Sequence, residues 1–332
     1  MPLGGPLSAH PTSPSPRDAS DLSQELALAN EHIREGRFQR SLALLAGLSS
    51  IPSGLEVSYE HYRGSYSQRI MYTPIIMSGV LTATGLWGVK SRWAGTVALR
   101  WVSYATLADC FTGFYFHIRG IHRKPGGWRI PIVNIVMGPP IFAPLLFGIS
   151  AYLGVIASYL RREEDDDERG GELMPRSARE GSWHKQLTGR SHEPISWEQD
   201  LREGRFQKHV AAATAMASFF SAFEAWYSHY KNRFQYKVQW TPLIVGGVLI
   251  GTAVASIKSR RVAHKLLPAV SAVAVVNGAI GFGYHARGVL RRPAGAKKPL
   301  YNIMYGPPIF APLLFAACGM LGLLASLLRR EK

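Results

Sequence analysis

One ten-residue stretch occurs twice in this chain, and it constrains the fold more than any other feature. Residues 138–147, Gly-Pro-Pro-Ile-Phe-Ala-Pro-Leu-Leu-Phe, return letter for letter as residues 306–315, an offset of 168 residues. The same offset aligns most of the chain without a gap, for example residues 34–39 with residues 202–207. Self-similarity at a fixed spacing is typical of a duplicated structural unit. The sequence therefore predicts two tandem homologous units.

Apolar and charged residues are segregated along the chain. The mean hydropathy is close to zero, but long apolar runs alternate with charge-dense segments. This pattern is typical of a polytopic membrane protein. We therefore expect an all-α integral membrane protein in which each unit contributes four helices, giving about eight transmembrane helices.

The apolar spans of the two units correspond in position. They cover residues 41–59, 72–89, 97–117 and 138–160, and again 209–227, 240–257, 266–285 and 306–328. The first span of each unit contains a glutamate, Glu56 or Glu224, so an amphipathic helix lying in the membrane interface is the alternative. That alternative leaves six transmembrane helices in inverted repeats, because an odd number of crossings reverses the second unit.

Four segments divide the chain. Residues 1–31 form a polar N-terminal tail without an apolar core, interpreted as disordered up to a short polar helix at residues 23–37. Residues 32–162 form the first unit, residues 163–199 a charged linker with an acidic run, and residues 200–332 the second unit. The charged tails and the lack of an apolar signal segment predict a multi-pass protein with cytoplasmic termini.

The charge balance is strongly basic, with 38 Lys and Arg against 22 Asp and Glu. Because the basic residues lie in short clusters between apolar runs, the lipid bilayer and its anionic headgroups are the predicted partners, and nucleic acid is not. The two cysteines, Cys110 and Cys318, lie in apolar runs at non-equivalent positions. A disulfide framework is therefore excluded.

Few polar residues at membrane depth recur at equivalent positions in both units. They are Glu56 and Glu224, Tyr59 and Tyr227, His61 and His229, Tyr62 and Tyr230, His117 and His285, and Arg119 and Arg287. His61 precedes the second span and His117 ends the third, and these two spans run in opposite directions. Each unit is therefore expected to bring two histidines, an acid and two tyrosines to one membrane face.

Several kinds of chemistry suit such a cluster. Two imidazoles at one depth are the axial ligands that haem b requires. Glu56 and Glu224, each with the histidines of its own unit, are the alternative ligands for a metal ion. A quinone or proton site is a further interpretation. In the plainest interpretation, His and Tyr anchor the protein at the headgroup boundary and Arg119 contacts lipid phosphate.

A lone acid, Asp109, lies in the third span of the first unit, where the second unit has Asn277. It is interpreted as part of a proton or cation path, or as a hydrogen-bond partner between helices, and the second interpretation is preferred. The duplicated Gly-Pro-Pro stretch is interpreted as a rigid helix start, with a helix N-terminus that binds an anion as the alternative.

No catalytic or nucleotide-binding motif was found, so the chain is not expected to be an enzyme. The sequence favours a cofactor-binding accessory or electron-transfer subunit that holds haem b or a metal at His61 and His117 and at His229 and His285. Its expected partner is a membrane or redox protein. A transporter with its substrate path between the repeats, and a non-catalytic structural subunit, are the alternatives.

Overall fold

A computed structural model describes residues 16–165 and 196–331, with side chains from residues 22–165 and 197–331. Helices dominate both ranges, and no strand occurs in them. The all-α fold is therefore confirmed. Residues 1–15, about half of the predicted N-terminal tail, and residues 166–195, most of the linker, lie outside the described residues.

The described part of the chain contains twelve α-helices. They are α1 (Pro16–Arg34), α2 (Gln39–Arg63), α3 (Thr73–Lys90), α4 (Leu99–His122), α5 (Pro131–Val136), α6 (Ala143–Tyr159), α7 (Ser196–Arg202), α8 (Gln207–Lys231), α9 (Thr241–Lys258), α10 (Leu267–Leu290), α11 (Pro299–Tyr305) and α12 (Ala311–Leu327). A π-helical turn precedes α4 and another precedes α10. The helices α8 to α12 begin 168 residues after α2 to α6. Prolines open α3, α6 and their counterparts, where the missing N–H would have no partner.

Three helical stretches in the described ranges are long and apolar enough to cross a membrane. They are Arg69–Lys90, Lys237–Lys258 and Val262–Leu290, fewer than the eight helices that the sequence predicts. The helices α6 and α12 have 17 residues each, or about 26 Å, and α4 carries Arg100 and Asp109. The three long stretches bury only 22% of their most apolar window, so much of their apolar surface faces outward, as lipid contact requires.

Each half of the molecule contains a four-helix bundle. In the first half α2 and α4 each pack against both α3 and α6, so α2 and α4 occupy opposite corners. In the second half α8 and α10 stand in the same relation to α9 and α12. The helices α2 and α8 have buried sides along most of their length. They therefore contribute to the core of each bundle.

The two halves contact each other at both ends of the bundles, and we call the end that contains residues 36–38 and 204–206 the junction end. There the rings of Phe38 and Phe206 stack with centroids 6.3 Å apart. Gly36 and Gly204 have left-handed φ angles of +72° and +69°, and their backbones approach so closely that a Cβ on Gly36 would lie 2.8 Å from the nitrogen of Gly204. Equivalent residues thus meet at the same end, and the halves run in the same direction. The inverted arrangement does not occur.

Ordered structure reaches into both polar segments, the N-terminal tail and the charged linker. The helix α1 begins at Pro16 and ends at Arg34, so it covers much of the predicted tail. Glu163, the first residue of the predicted linker, accepts hydrogen bonds from the backbone N–H groups of Arg40 and Ser41. This acid therefore caps α2, because the first N–H groups of a helix have no partner within it.

Candidate cofactor site

The four histidines singled out from the sequence lie together at the end opposite the junction, which we call the histidine end. In the second half the ring centroids of His229 and His285 are 6.5 Å apart, with an angle of 52° between the rings. In the first half His61 and His117 lie near the C-terminal ends of α2 and α4. Each pair comes from opposite corners of its bundle, α2 with α4 and α8 with α10. The tertiary fold therefore brings two imidazoles to one end of each half.

All four imidazoles are held in the same way, through a hydrogen bond between Nδ1 and a backbone carbonyl. The pairs are His61 with Met71 (2.6 Å), His117 with Pro140 (2.5 Å), His229 with Gln239 (2.9 Å) and His285 with Pro308 (2.6 Å). A carbonyl can only accept, so in the neutral ring Nδ1 carries the proton and Nε2 keeps a lone pair. This is the arrangement that prepares a histidine to bind a metal through Nε2.

A strained turn places an aromatic ring edge-on against the first histidine of each pair. Tyr66 and Phe234 have φ angles of +45° and +48°, and their backbone N–H groups donate to the carbonyls of His61 and His229. Their rings stand at 81° and 84° to the imidazoles. Left-handed conformations of bulky residues cost about 1–3 kcal/mol each and concentrate at functional sites. The recurrence of an aromatic residue at this position was the sequence signal, and our sequence reasoning missed it.

The two glutamates bind backbone atoms of the other half. The backbone N–H of Phe142 donates to Oε1 of Glu224 at 2.7 Å, and that of Phe310 donates to Oε2 of Glu56 at 3.3 Å. Each carboxylate therefore occupies the N-terminus of a helix, α6 or α12, that begins in the duplicated Gly-Pro-Pro stretch. Among the described residues, no group of three or more His, Cys, Asp or Glu side chains is placed to hold a metal ion.

The prolines of the Gly-Pro-Pro stretch begin α6 and α12, as a rigid helix start does. The backbone N–H in front of each helix donates to the side chain of a glutamate from the other half. Phe142 further packs against an aromatic cluster on α8, with its ring 4.6 Å from Phe220 and 5.1 Å from Phe223.

The remaining candidate residues, one aspartate, two tyrosines and two arginines, also lie at the histidine end but belong to neither histidine pair. Asp109 accepts a hydrogen bond of 2.5 Å from the hydroxyl of Thr73, which joins α4 to α3 as the preferred interpretation expects. The side chains of Tyr62 and Tyr230 are 55% and 50% exposed, and Arg119 and Arg287 are exposed. These tyrosines and arginines therefore line the surface of the histidine end.

Comparison of the chain with protein-family models, curated proteins and solved structures gave no match. The assignment of function therefore depends on the geometry of the histidine end.

Proposed function

We propose that the chain is an integral membrane protein of two homologous units, each of which holds one haem b between its two histidines. In this role it is an accessory or electron-transfer subunit of a membrane or redox protein and has no catalytic activity of its own. The observation that carries the proposal is the common Nδ1 anchoring of all four imidazoles. It presents four Nε2 lone pairs in two pairs.

The donor set fits this cofactor. Haem iron accepts two axial ligands, and neutral imidazole is one of its commonest ligands. Two imidazoles that share one metal centre through bonds of about 2.0 Å have ring centres roughly 6 Å apart. The centroids of His229 and His285 are 6.5 Å apart, so the separation suits a shared metal. A bare metal ion is the alternative occupant of the same two nitrogens.

The residues around each pair have distinct roles in this proposal. The backbone carbonyls hold the imidazoles in one tautomer and one orientation, and the edges of Tyr66 and Phe234 restrict rotation of His61 and His229. His61 with His117, and His229 with His285, would each hold one haem, and the haem would supply exchange of single electrons. The partly buried position of the histidines keeps bulk water from competing for the Nε2 lone pairs.

The proposal places eight helices across the bilayer, α2, α3, α4 and α6 with their four counterparts. Support comes from the equal bounds of the two sets at the 168-residue offset and from the common direction of the two halves. The shortest of these helices span about 26 Å, close to the bilayer core of about 30 Å. In this arrangement the junction end lies in the cytoplasm together with both termini.

The experiment is an absorption spectrum of the full chain purified in detergent, together with haem extraction and metal analysis. We expect reduced and oxidised spectra of a six-coordinate haem and one haem per half. Replacing His229 and His285 by Ala is expected to halve the haem content. His122→Ala is the matched control, because His122 is exposed at the same end and belongs to neither pair.

Two outcomes contradict the proposal. A colourless and metal-free protein after expression with excess haem excludes both occupants. A haem content that the histidine substitutions leave unchanged excludes these ligands. If the protein holds a metal ion that the same histidine substitutions remove, the cofactor is a metal ion and the assignment of the site stands.

A further inference from the structure

The two halves exchange contacts next to the histidines. Pro140, whose carbonyl holds His117, is two residues from Phe142, whose N–H binds Glu224 of the other half. The same spacing recurs with Pro308 and Phe310, so His285 and Glu56 are connected in the same way. The Pro140 carbonyl and the Phe142 N–H belong to consecutive peptide planes that meet at the buried residue Ile141, so a displacement of one plane moves the other.

We infer that the glutamate of each half positions the histidine pair of the other half. Glu224 acts on His117 through the Phe142 N–H, and Glu56 acts on His285 through the Phe310 N–H. The glutamates are positioning residues, because they act on the imidazoles of the other half through this backbone. The inference rests on the proposed binding role of the histidines.

The two connections differ in strength. The hydrogen bond to Glu224 is shorter by 0.6 Å, from 2.7 Å against 3.3 Å, and Phe142 also packs into the aromatic cluster on α8. Where Phe142 meets Phe220, the equivalent position of the first half is Pro52. Loss of Glu224 is therefore expected to disturb its target more than loss of Glu56.

The test uses proteins that keep a single histidine pair. His229→Ala with His285→Ala leaves the first pair, and His61→Ala with His117→Ala leaves the second. Glu224→Ala is expected to shift the haem spectrum of the protein with the first pair and to leave that of the protein with the second pair unchanged. Glu56→Ala is expected to do the reverse. Gln in place of Glu restores an acceptor and is expected to restore the spectrum.

A second readout needs no cofactor. Modification of histidine by diethyl pyrocarbonate, followed by mass spectrometry of the apo protein, reports how tightly each imidazole is held. A lost hydrogen bond to a charged group raises local opening about tenfold, so His117 is expected to react faster in Glu224→Ala and His285 in Glu56→Ala. Effects confined to the half that carries the substitution, or equal in both halves, overturn the inference. If no haem is bound but each glutamate substitution still speeds modification of the histidine in the other half, only the cofactor assignment is overturned.

A separate observation concerns charge at the histidine end. Fourteen Lys and Arg residues lie there: Arg63, Arg69, Arg119, Arg123, Lys124, Arg129, Lys231, Arg233, Lys237, Arg287, Arg291, Arg292, Lys297 and Lys298. In the described part of the chain only Arg63 of this set forms an ion pair, with Glu60. The acids Glu56, Asp109 and Glu224 at this end are engaged in hydrogen bonds.

The basic loops at this end are held in fixed shapes. The buried amide of Asn134 donates to the carbonyls of Pro125 and Gly127 at 3.0 and 2.7 Å. Asn302 makes the equivalent bonds to Pro293 and Gly295 at 3.2 and 2.9 Å. A loop that is already ordered loses little entropy when its cations bind a ligand.

Exposed apolar side chains follow each basic loop directly. Ile132 and Val133 on α5 are 63% and 56% exposed, and Leu300 and Tyr301 on α11 are 70% and 55% exposed. Cations beside outward apolar side chains are the arrangement that suits the boundary between headgroups and acyl chains. An acidic protein surface would match the charge and leave the apolar groups without a partner.

We propose that these two loops bind anionic phospholipid headgroups. The test compares spin-labelled phosphatidylglycerol with spin-labelled phosphatidylcholine in proteoliposomes and measures the immobilised fraction of each. We expect an excess of immobilised phosphatidylglycerol that falls with added salt. Replacing Arg291, Arg292, Lys297 and Lys298 by Gln is expected to remove about half of that excess, because two equivalent loops share it.

The control removes the same number of charges near the junction end, with Gln in place of Lys258, Arg260, Arg261 and Lys265. It is expected to keep the excess of phosphatidylglycerol in the leaflet at the histidine end. Equal immobilisation of both lipids by the unmodified protein, or an equal loss in the control, overturns the proposal.

Discussion

Substitution of Gly36 by Ala tests the close backbone contact that joins the two halves. Gly36 has a φ of +72°, and a Cβ built on it would lie 2.5 Å from the carbonyl oxygen of Arg202 and 2.8 Å from the nitrogen of Gly204. All of these neighbours are backbone atoms, so no side chain can rotate to make room. The halves must separate locally, or the turn must change its conformation.

The magnitude follows from three effects. A left-handed conformation costs an L-residue about 1–2 kcal/mol, and overpacking of a close contact costs about 1–3 kcal/mol. The lower entropy of the unfolded chain returns about 0.4–1 kcal/mol. Gly36→Ala is therefore expected to lower the free energy of unfolding by about 1–5 kcal/mol.

The assay is equilibrium unfolding in detergent, followed by tryptophan fluorescence. Gly247→Ala is the matched control, because that glycine lies inside α9 with no atom within 4 Å of its Cβ. Ala is favoured over Gly in a helix interior by about 0.5–1 kcal/mol, so the control is expected to be as stable as the unmodified protein or more stable. A Gly36→Ala protein that unfolds together with the control would refute the backbone contact between the halves.

Three further predictions concern single side chains. Glu331 accepts hydrogen bonds from the backbone N–H groups of Lys208 and His209 at the start of α8. Burial alone would raise the pKa of Glu331. The hydrogen bonds outweigh burial and hold the pKa below its ordinary value. This cap contributes about 1 kcal/mol to stability. The contribution is complete above the ordinary pKa of a glutamate and is lost as the pH falls through the lowered pKa of Glu331. Glu331→Gln is therefore expected to weaken the pH dependence of unfolding in the acidic range. Phe142→Ala is expected to lower the free energy of unfolding by about 3–5 kcal/mol. Phe310→Ala is expected to lower it less, because only Phe142 lies in the aromatic cluster. Equal losses of the two variants in denaturant titrations would contradict this difference. Asp109→Asn is expected to change stability by less than about 1 kcal/mol, because an amide oxygen still accepts from Thr73; a large loss would contradict the helix-to-helix hydrogen-bond role.

The sequence predicted much of the helical framework. The second spans were predicted at residues 72–89 and 240–257, and the helices are Thr73–Lys90 and Thr241–Lys258. These limits depend on local chemistry, since Thr-Pro begins a helix and Lys-Ser-Arg follows its last apolar residue. The sequence also predicted eight membrane crossings, but three stretches of the described residues are long and apolar enough to cross a membrane. Packing within a bundle tolerates the polar residues that a lipid-facing helix does not.

The sequence by itself determined the recurrence of segments at an offset of 168 residues and the helical class, and it pointed to the four histidines. Only the tertiary structure decided that Glu56 and Glu224 bind the opposite half, that backbone carbonyls hold the imidazoles of these four histidines, and that Gly36 meets Gly204. These contacts join residues far apart in the chain, up to 254 positions in the bond between Glu56 and Phe310. Identical stretches offer identical partners, so periodicity and spacing contain no information about which copy pairs with which. That choice depends on how the two bundles dock, and docking is settled by the shape and burial of whole surfaces.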